Sequence, residues 1–302
     1  MKKSIIIILI IAAVCIAYGA YGLSKSDSDS DSSIESSESP TGPFDVESSM
    51  KKDSGKDSKR DSPKNTGKKT SANGEKWLTV KIPDNLPSVL KDYEGFTLSF
   101  NPETHCPNWV GWELLGEETQ GSQTRNNQFW QDTEVPGCPT TKDYSRSNYD
   151  RGHMCPAADQ KWSAQAMTDC FSLTNMCPQK HELNAGAWNT LENKSRNWAR
   201  RDSAILIISG PIFESKNVKT IGEMGVAVPD AFFKVIAAPF ADQPRGIAFV
   251  YPNSNSPGNM EQYALTIDEV EELTGYDFFS SMPKNLQNKI ESTASYKLWN
   301  HR

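Results

Sequence analysis

Three kinds of hydrophobic patterning succeed one another along the chain. Residues Met1–Leu23 open with Lys2 and Lys3, then run without a charge from Ile5 to Leu23. A nearly span-length apolar stretch behind two lysines is the pattern of a membrane-targeting helix held positive side inward. It predicts either a retained signal-anchor or a signal peptide cleaved near the small residues Ala17, Gly19, Ala20 and Gly22. Val14 before Cys15 argues against lipoprotein processing. Residues 24–75 show no hydrophobic period. They hold fifteen serines, eleven acids and nine bases, Ser-Asp alternation first and lysines later, and nothing there can be buried to offset chain entropy, so a disordered linker is expected.

From Trp77 onward the pattern is that of a folded domain, 76–302. Alternation predicts strands at Trp77–Ile82, Phe96–Phe100 and Val110–Leu115. The continuous apolar runs Ala204–Ser209 and Gly246–Tyr251 predict short buried strands. Leu183, Ala187, Leu191 and Trp198 recur near a helical period and predict a helix over His181–Arg201. Two further helices are expected at Thr266–Thr274, capped by Thr266 or Asp268, and at Pro283–Thr293. Strands interspersed with helices make the fold class α+β.

Charge changes this picture in one respect. The 302 residues carry a formal net charge of −6. The targeting segment contributes +2 and the linker −2, so the folded domain itself carries the −6. A broadly basic nucleic-acid binder is excluded, whereas a local cationic groove is not. Cysteine adds a second expectation. Beyond Cys15, five remain (Cys106, Cys138, Cys155, Cys170 and Cys177), and behind an export signal they would include disulfides with one thiol left over. Their spacing lacks the close ligand pairs of a structural zinc site.

Candidate chemistry concentrates between Tyr149 and Arg200. The blocks are Asp150-Arg151-Gly152-His153, Thr174-Asn175-Met176-Cys177-Pro178-Gln179, and Leu183-Asn184-Ala185-Gly186-Ala187-Trp188, the last continuing to Glu192 and Arg196. His153 is one of four histidines, and imidazole is the natural base near neutral pH. Arg151 and Arg196, with Arg125 upstream, offer planar donors that match phosphate oxygens. Asn184 and Glu192 offer a neutral and an anionic hard oxygen; on a regular helix they project about 80° apart once two turns are subtracted. Glu192 and Arg196 stand four apart, as direct neighbours or a plain surface ion pair would. Hard oxygens with few protein competitors suit Mg²⁺. Base, metal ligand and converging arginines are the parts for hydrolysing a phosphodiester.

In order and spacing these three blocks resemble the DNA/RNA non-specific endonucleases, the ββα-metal nucleases that include secreted bacterial nucleases and mitochondrial endonuclease G. The likeness extends more loosely from Phe96 to Glu291, through Thr124-Arg125-Asn126, Ser209–Phe213, Val228–Lys234 and Glu272–Phe279. It implies an α+β domain with a mixed or antiparallel sheet and a ββα-metal motif, the histidine on a strand and the asparagine on the helix behind it. It further implies that His153 is the general base and Asn184 the direct ligand of a hydrated Mg²⁺, with Mn²⁺ able to substitute. Glu192 would hold metal-bound water, Arg125, Arg151 and Arg196 would contact phosphate, and Asn175 would stand behind the histidine. Asp150 would support the motif's geometry.

The expected activity is metal-dependent, sequence-non-specific cleavage of DNA and RNA through backbone contacts, at the extracytoplasmic membrane face or after export. The rivals are a catalytically decayed surface protein that binds or takes up nucleic acid, and a cysteine hydrolase using Cys155 or Cys177. His105, His181 and His301 are expected to be structural or solvated, and Trp188 and Trp198 to be core.

Overall fold

The four longest strands are buried along their whole length: β4 (Cys106–Leu115), β7 (Ala204–Ile212), β10 (Ala231–Ala238) and β11 (Arg245–Pro252). A strand buried on both faces needs apolar cover above and below, and that requirement sets the architecture. In the computed structural model, which describes residues 74–256 and 258–300, these strands form the centre of a seven-stranded sheet. With β2 (Val89–Asp92), β3 (Thr97–Asn101) and β12 (Ala264–Leu265), its order is β12-β11-β10-β7-β4-β3-β2, and every pairing is antiparallel. The α+β class with an antiparallel sheet is as expected. The targeting segment and nearly all of the linker lie outside the described residues. Among the described residues no helix is long and apolar enough to cross a membrane.

The expected strands are present with shifted ends, except at Trp77–Ile82. There Glu75–Trp77 turns as a 3-10 segment and only β1 (Val80–Lys81) pairs, with β13 (Asp277–Phe278). Strand β10 was not anticipated, because Lys234 interrupts its apolar run. Yet that lysine is only 1% exposed, and its strand lies between β7 and β11.

Successive side chains of β10 point to opposite sides of the sheet and so reveal its two covers. Phe232 meets Trp188, and Lys234 lies over the rings of Trp112 and Trp188. Phe233 instead meets Tyr276 and Phe278. One face therefore carries the hairpin β5 (Asp150–His153)–β6 (Met176–Gln179), the short helix α1 (Ala164–Asp169) and the long helix α2 (Asn189–Asp202). The other carries α3 (Ile267–Thr274) and α4 (Lys284–Glu291). Between β9 (Val226–Ala227), which pairs with β8 (Thr220–Ile221), and α5 (Tyr296–Asn300), the chain completes the first layer's core. Each large side chain sealed in these layers contributes about 1.5–3 kcal/mol. Trp188 and Trp198 are both core, as expected.

The disulfide expectation is not met. All five described cysteines are buried free thiols. They serve as small core residues with weak polar contacts: Cys106 Sγ donates to the Ala227 carbonyl, Cys170 Sγ to that of Met167, and Cys155 Sγ accepts from Gln160 Nε2. Burial pushes the Cys138 and Cys170 thiols up to about 12 and those of Cys155 and Cys177 well above their usual value. A nucleophilic cysteine must be a thiolate, so the cysteine-hydrolase reading fails on the same observation.

Candidate active site

His153 ends β5, one strand of the two-stranded hairpin in front of the sheet. Gly152 beside it faces Gln179 across the hairpin so closely that a Cβ would collide with the glutamine side chain. This is why a glycine stands inside the motif. The backbone around the histidine is clamped: Trp188 Nε1 donates to the His153 carbonyl at 3.3 Å, and the Met154 N–H to that of Asn175 at 3.0 Å. Asn175, wholly buried, uses its entire amide in the same task. Its Oδ1 accepts from the Cys155 N–H and its Nδ2 donates to the carbonyls of Cys155 and Cys170. It thereby holds the backbone that follows His153, with both amide hydrogens committed.

The imidazole stands edge-on to Phe171 (ring centroids 5.0 Å apart) and tilted against Phe129 (5.6 Å). The two phenylalanines also pack on each other and carry the flanking cations, with Arg151 4.3 Å over Phe129 and Arg125 5.0 Å over Phe171. Arg151 and His153 share a face of the strand because they are two residues apart. Arg125, in an exposed loop, is steadied by a 2.6 Å bond from its Nε to Asn127 Oδ1. Burial first, then the Arg125 charge, hold the histidine down at about 3, against an opposing backbone hydrogen bond with Arg151. Its Nε2 is buried with no partner. The ring is neutral across ordinary pH and keeps a free nitrogen.

Asn184 lies in a π-type turn, Leu183–Trp188, kinked at Gly186 and running into α2. Its regular-helix angle to Glu192 therefore does not hold, and such wide turns recur at functional sites. Asn184 Nδ2 donates to Asp150 Oδ2 at 2.9 Å, and His181 Nδ1 bonds the same oxygen at 2.8 Å. A carboxylate only accepts, so the amide nitrogen must face Asp150 and the amide oxygen faces away. Asp150 supports the geometry as expected, and His181 is tied to the motif through it.

Glu192 and Arg196, expected as neighbours, form no ion pair in the described residues. Arg196 Nη1 instead binds Asp159 Oδ1 at 2.7 Å, and its Nη2 binds Asn193 Oδ1 at 2.9 Å. Asp159, 1% exposed, also accepts from Trp112 Nε1 at 3.1 Å. Burial pushes the Glu192 carboxyl up to about 7 against the charge of Lys234, with Asp159 adding to the rise and Arg196 and Arg125 opposing it. Arg125 thus acts on both His153 and Glu192, which draws the predicted residues into one electrostatic cluster. Asp159, Lys234, Phe129 and Phe171 were missed as members. Lys234 ends the stretch Val228–Lys234 that carries the looser likeness, and nothing in the spacing of Asp159 links it to Arg196.

A family model for DNA/RNA non-specific endonuclease matches residues 73–285. The chain belongs to that family. Among similar proteins, Nuclease EXOG, mitochondrial, of Xenopus laevis is 32% identical over 212 residues, covering 65% of this chain and 59% of its own length. This family member thus spans about three fifths of that relative. The mitochondrial nuclease of Saccharomyces cerevisiae is 34% identical (67% of this chain, 68% of that protein), and human Endonuclease G, mitochondrial, 33% (63% and 69%). In a solved EndoG/EndoGI complex, a chain 27% identical superposes with a TM-score of 0.62, covering 69% of this endonuclease-family chain and 94% of its own.

Proposed function

We propose that this chain is a metal-dependent endonuclease that hydrolyses phosphodiester bonds of DNA and RNA without sequence preference. The observation that carries this reading is His153: an imidazole whose Nε2 has no partner, between two arginines mounted on aromatic rings. Such a group accepts a proton from water. The water oxygen attacks phosphorus, the P–O ester bond breaks, and the alkoxide leaves to take a proton from solvent. Arg125 and Arg151 lie where they would bind the phosphoryl oxygens and meet the charge that grows on them. Asp159 and Asn193 fix the Arg196 guanidinium, from which it would contact a further phosphate oxygen. None of these groups reads a base edge, which fits indifference to sequence.

The donor set fits a hydrated Mg²⁺, with Mn²⁺ as a substitute. Asp150 commits the Asn184 nitrogen and leaves its oxygen free, and Glu192 supplies a carboxylate for metal-bound water. When bound, the ion would polarise the phosphate and neutralise the leaving oxygen. The Met1–Leu23 segment would place the enzyme on the extracytoplasmic side of a membrane, anchored or released by cleavage.

The test is plasmid and RNA cleavage with Mg²⁺, with and without a chelator, on the wild type and His153→Ala. Cleavage should need metal and fall by about 10²–10⁴-fold in the variant, while nucleic-acid binding persists. Undiminished cleavage by His153→Ala would remove the base assignment. Binding without cleavage by the wild type would instead favour a non-catalytic uptake protein.

A further inference from the structure

On the sheet face opposite His153, three carboxyl groups converge where α3 and α4 pack on β11. Asp268 and Glu271 stand three apart on α3, on one helix face; Glu291 is the last residue of α4. One oxygen from each lies within 4.8 Å of the other two. We propose that Asp268, Glu271 and Glu291 form a second cation site, distinct from the catalytic one, that binds Ca²⁺ and ties α3 to α4.

Acidic side chains often gather on surfaces without any ligand, and Asp268 alone is unremarkably exposed. Glu291 is different. It is 3% exposed, and its Oε1 is buried with no hydrogen-bond partner. A buried carboxylate oxygen without a donor is costly, and this one sits beside two more carboxyls at a helix C-terminus, where the backbone dipole already disfavours negative charge. Lys284 is the one positive charge that acts on Glu271 and Glu291, as the smallest of the influences on each, and it forms no ion pair with either in the described residues. Among the described residues none of the three forms an ion pair. Lys284 Nζ donates to Gln287 Oε1, and Gln287 Nε2 is spent on Asp277 Oδ1 and the Phe278 carbonyl. Glu269, the remaining acid of that helix turn, is committed to the capping box with Thr266. Burial, reinforced by the neighbouring acids, holds Glu291 up at about 8 and Glu271 at about 7. Near neutral pH these two carboxyls therefore tend to keep a proton, which a bound cation would displace.

The ligand set selects the ion. Mg²⁺ prefers one or two carboxylates with several waters, while Ca²⁺ accepts three carboxylates and completes its shell from solvent. The exposed Asp268 leaves that solvent side open. Glu271 keeps one oxygen for the ion because the Phe278 N–H occupies only Oε1, at 2.7 Å.

Thermal unfolding of the full chain in EGTA and in excess calcium chloride tests this, using the wild type and Asn184→Ala, which lacks the catalytic-site ligand. Both should gain about 5–10 °C at calcium about a hundredfold above Kd. Glu291→Gln and Glu271→Gln, each also made in the Asn184→Ala background, should lose that gain while folding in EGTA; Asp268→Asn, an exposed change, guards against misfolding of the buried variants and should reduce it. The proposal is overturned if wild type and Asn184→Ala show no calcium shift, or if the shift survives in Glu291→Gln and vanishes in Asn184→Ala.

Discussion

If Asp159 works by aiming Arg196, the two residues must behave as one unit in stability and in catalysis. The pair is almost wholly out of solvent, with side chains 1% and 11% exposed and 2.7 Å between charged atoms. Burial raises the Asp159 carboxyl even though Arg196 opposes the rise most, so its ionised form depends on the guanidinium. Asp159→Asn preserves shape and the bond from Trp112, and strips Arg196 of its counter-charge. Breaking one side of a buried pair costs about 3–5 kcal/mol. For a domain of this size that is a fall in Tm of about 6–20 °C. Arg196→Met should cost a similar amount, because it strands the buried carboxylate. In Asp159→Asn/Arg196→Met neither charge remains, so the double variant should be more stable than the sum of the single losses predicts, by about 2 kcal/mol or more. Cleavage supplies the second readout. Each single variant should lose about 10²–10³-fold in kcat, the worth of one donor to the developing phosphoryl charge, and the double should lose no more than Arg196→Met alone. Calorimetry and single-turnover cleavage on the four proteins decide it. Losses that add within about 0.5 kcal/mol in both measurements would mean that the residues act independently.

The arginine field around His153 can be read directly. Removing Arg125 removes the largest charge that depresses the ring, so an NMR titration of Arg125→Ala should place the His153 pKa above about 3 and still below 6.5, because burial remains. The sign for stability follows: the ring is neutral when folded, so its contribution is complete above pH 6.5 and is lost towards about pH 3, by up to about 1.4 kcal/mol per pH unit. An unchanged or lower pKa in Arg125→Ala would refute the field. The thiols give another check. With five buried cysteines in the domain, a thiol reagent should leave all five unmodified in the native protein and modify all five under non-reducing denaturation, as peptide mapping would show; fewer than five would reveal a disulfide.

What the amino-acid pattern discloses is local, and what it hides joins distant segments. The helix α2 follows from side chains four and seven apart, whereas the π-type turn Leu183–Trp188 ahead of it departs from that period. The start of α3 is local in the same way, with Thr266 capping and Glu269 reciprocating within a single turn. The motif blocks identify His153, Asn184 and the arginines because residue type and short spacing carry them. Arg196 is different: its partner Asp159 is 37 positions away and meets it only after α2 docks beside β4. The aromatic mounts Phe129 and Phe171 look like ordinary core residues until the hairpin folds between them. Strand β10 was hidden for a related reason. A lysine inside an apolar run reads as exposure, whereas Lys234 is buried by the rings of Trp112 and Trp188 and by the acids of the site.

The same separation resolves the charge paradox of an acidic domain proposed to act on a polyanion. Arg125, Arg151, Arg196 and Lys234 gather on one side of the sheet against Asp159 and Glu192, a local excess of cations. The convergent acids Asp268, Glu271 and Glu291 lie on the other side. Layers in such a fold pack about 10 Å apart, so a phosphate bound at His153 would touch the cations and meet the acids only from more than about twice the contact distance, where Coulomb's law makes each acid count for less than half as much as a contacting cation. The net −6 then acts only at long range, where it slows non-specific adhesion, and the short-range field at the site decides whether a phosphodiester stays long enough to be cut.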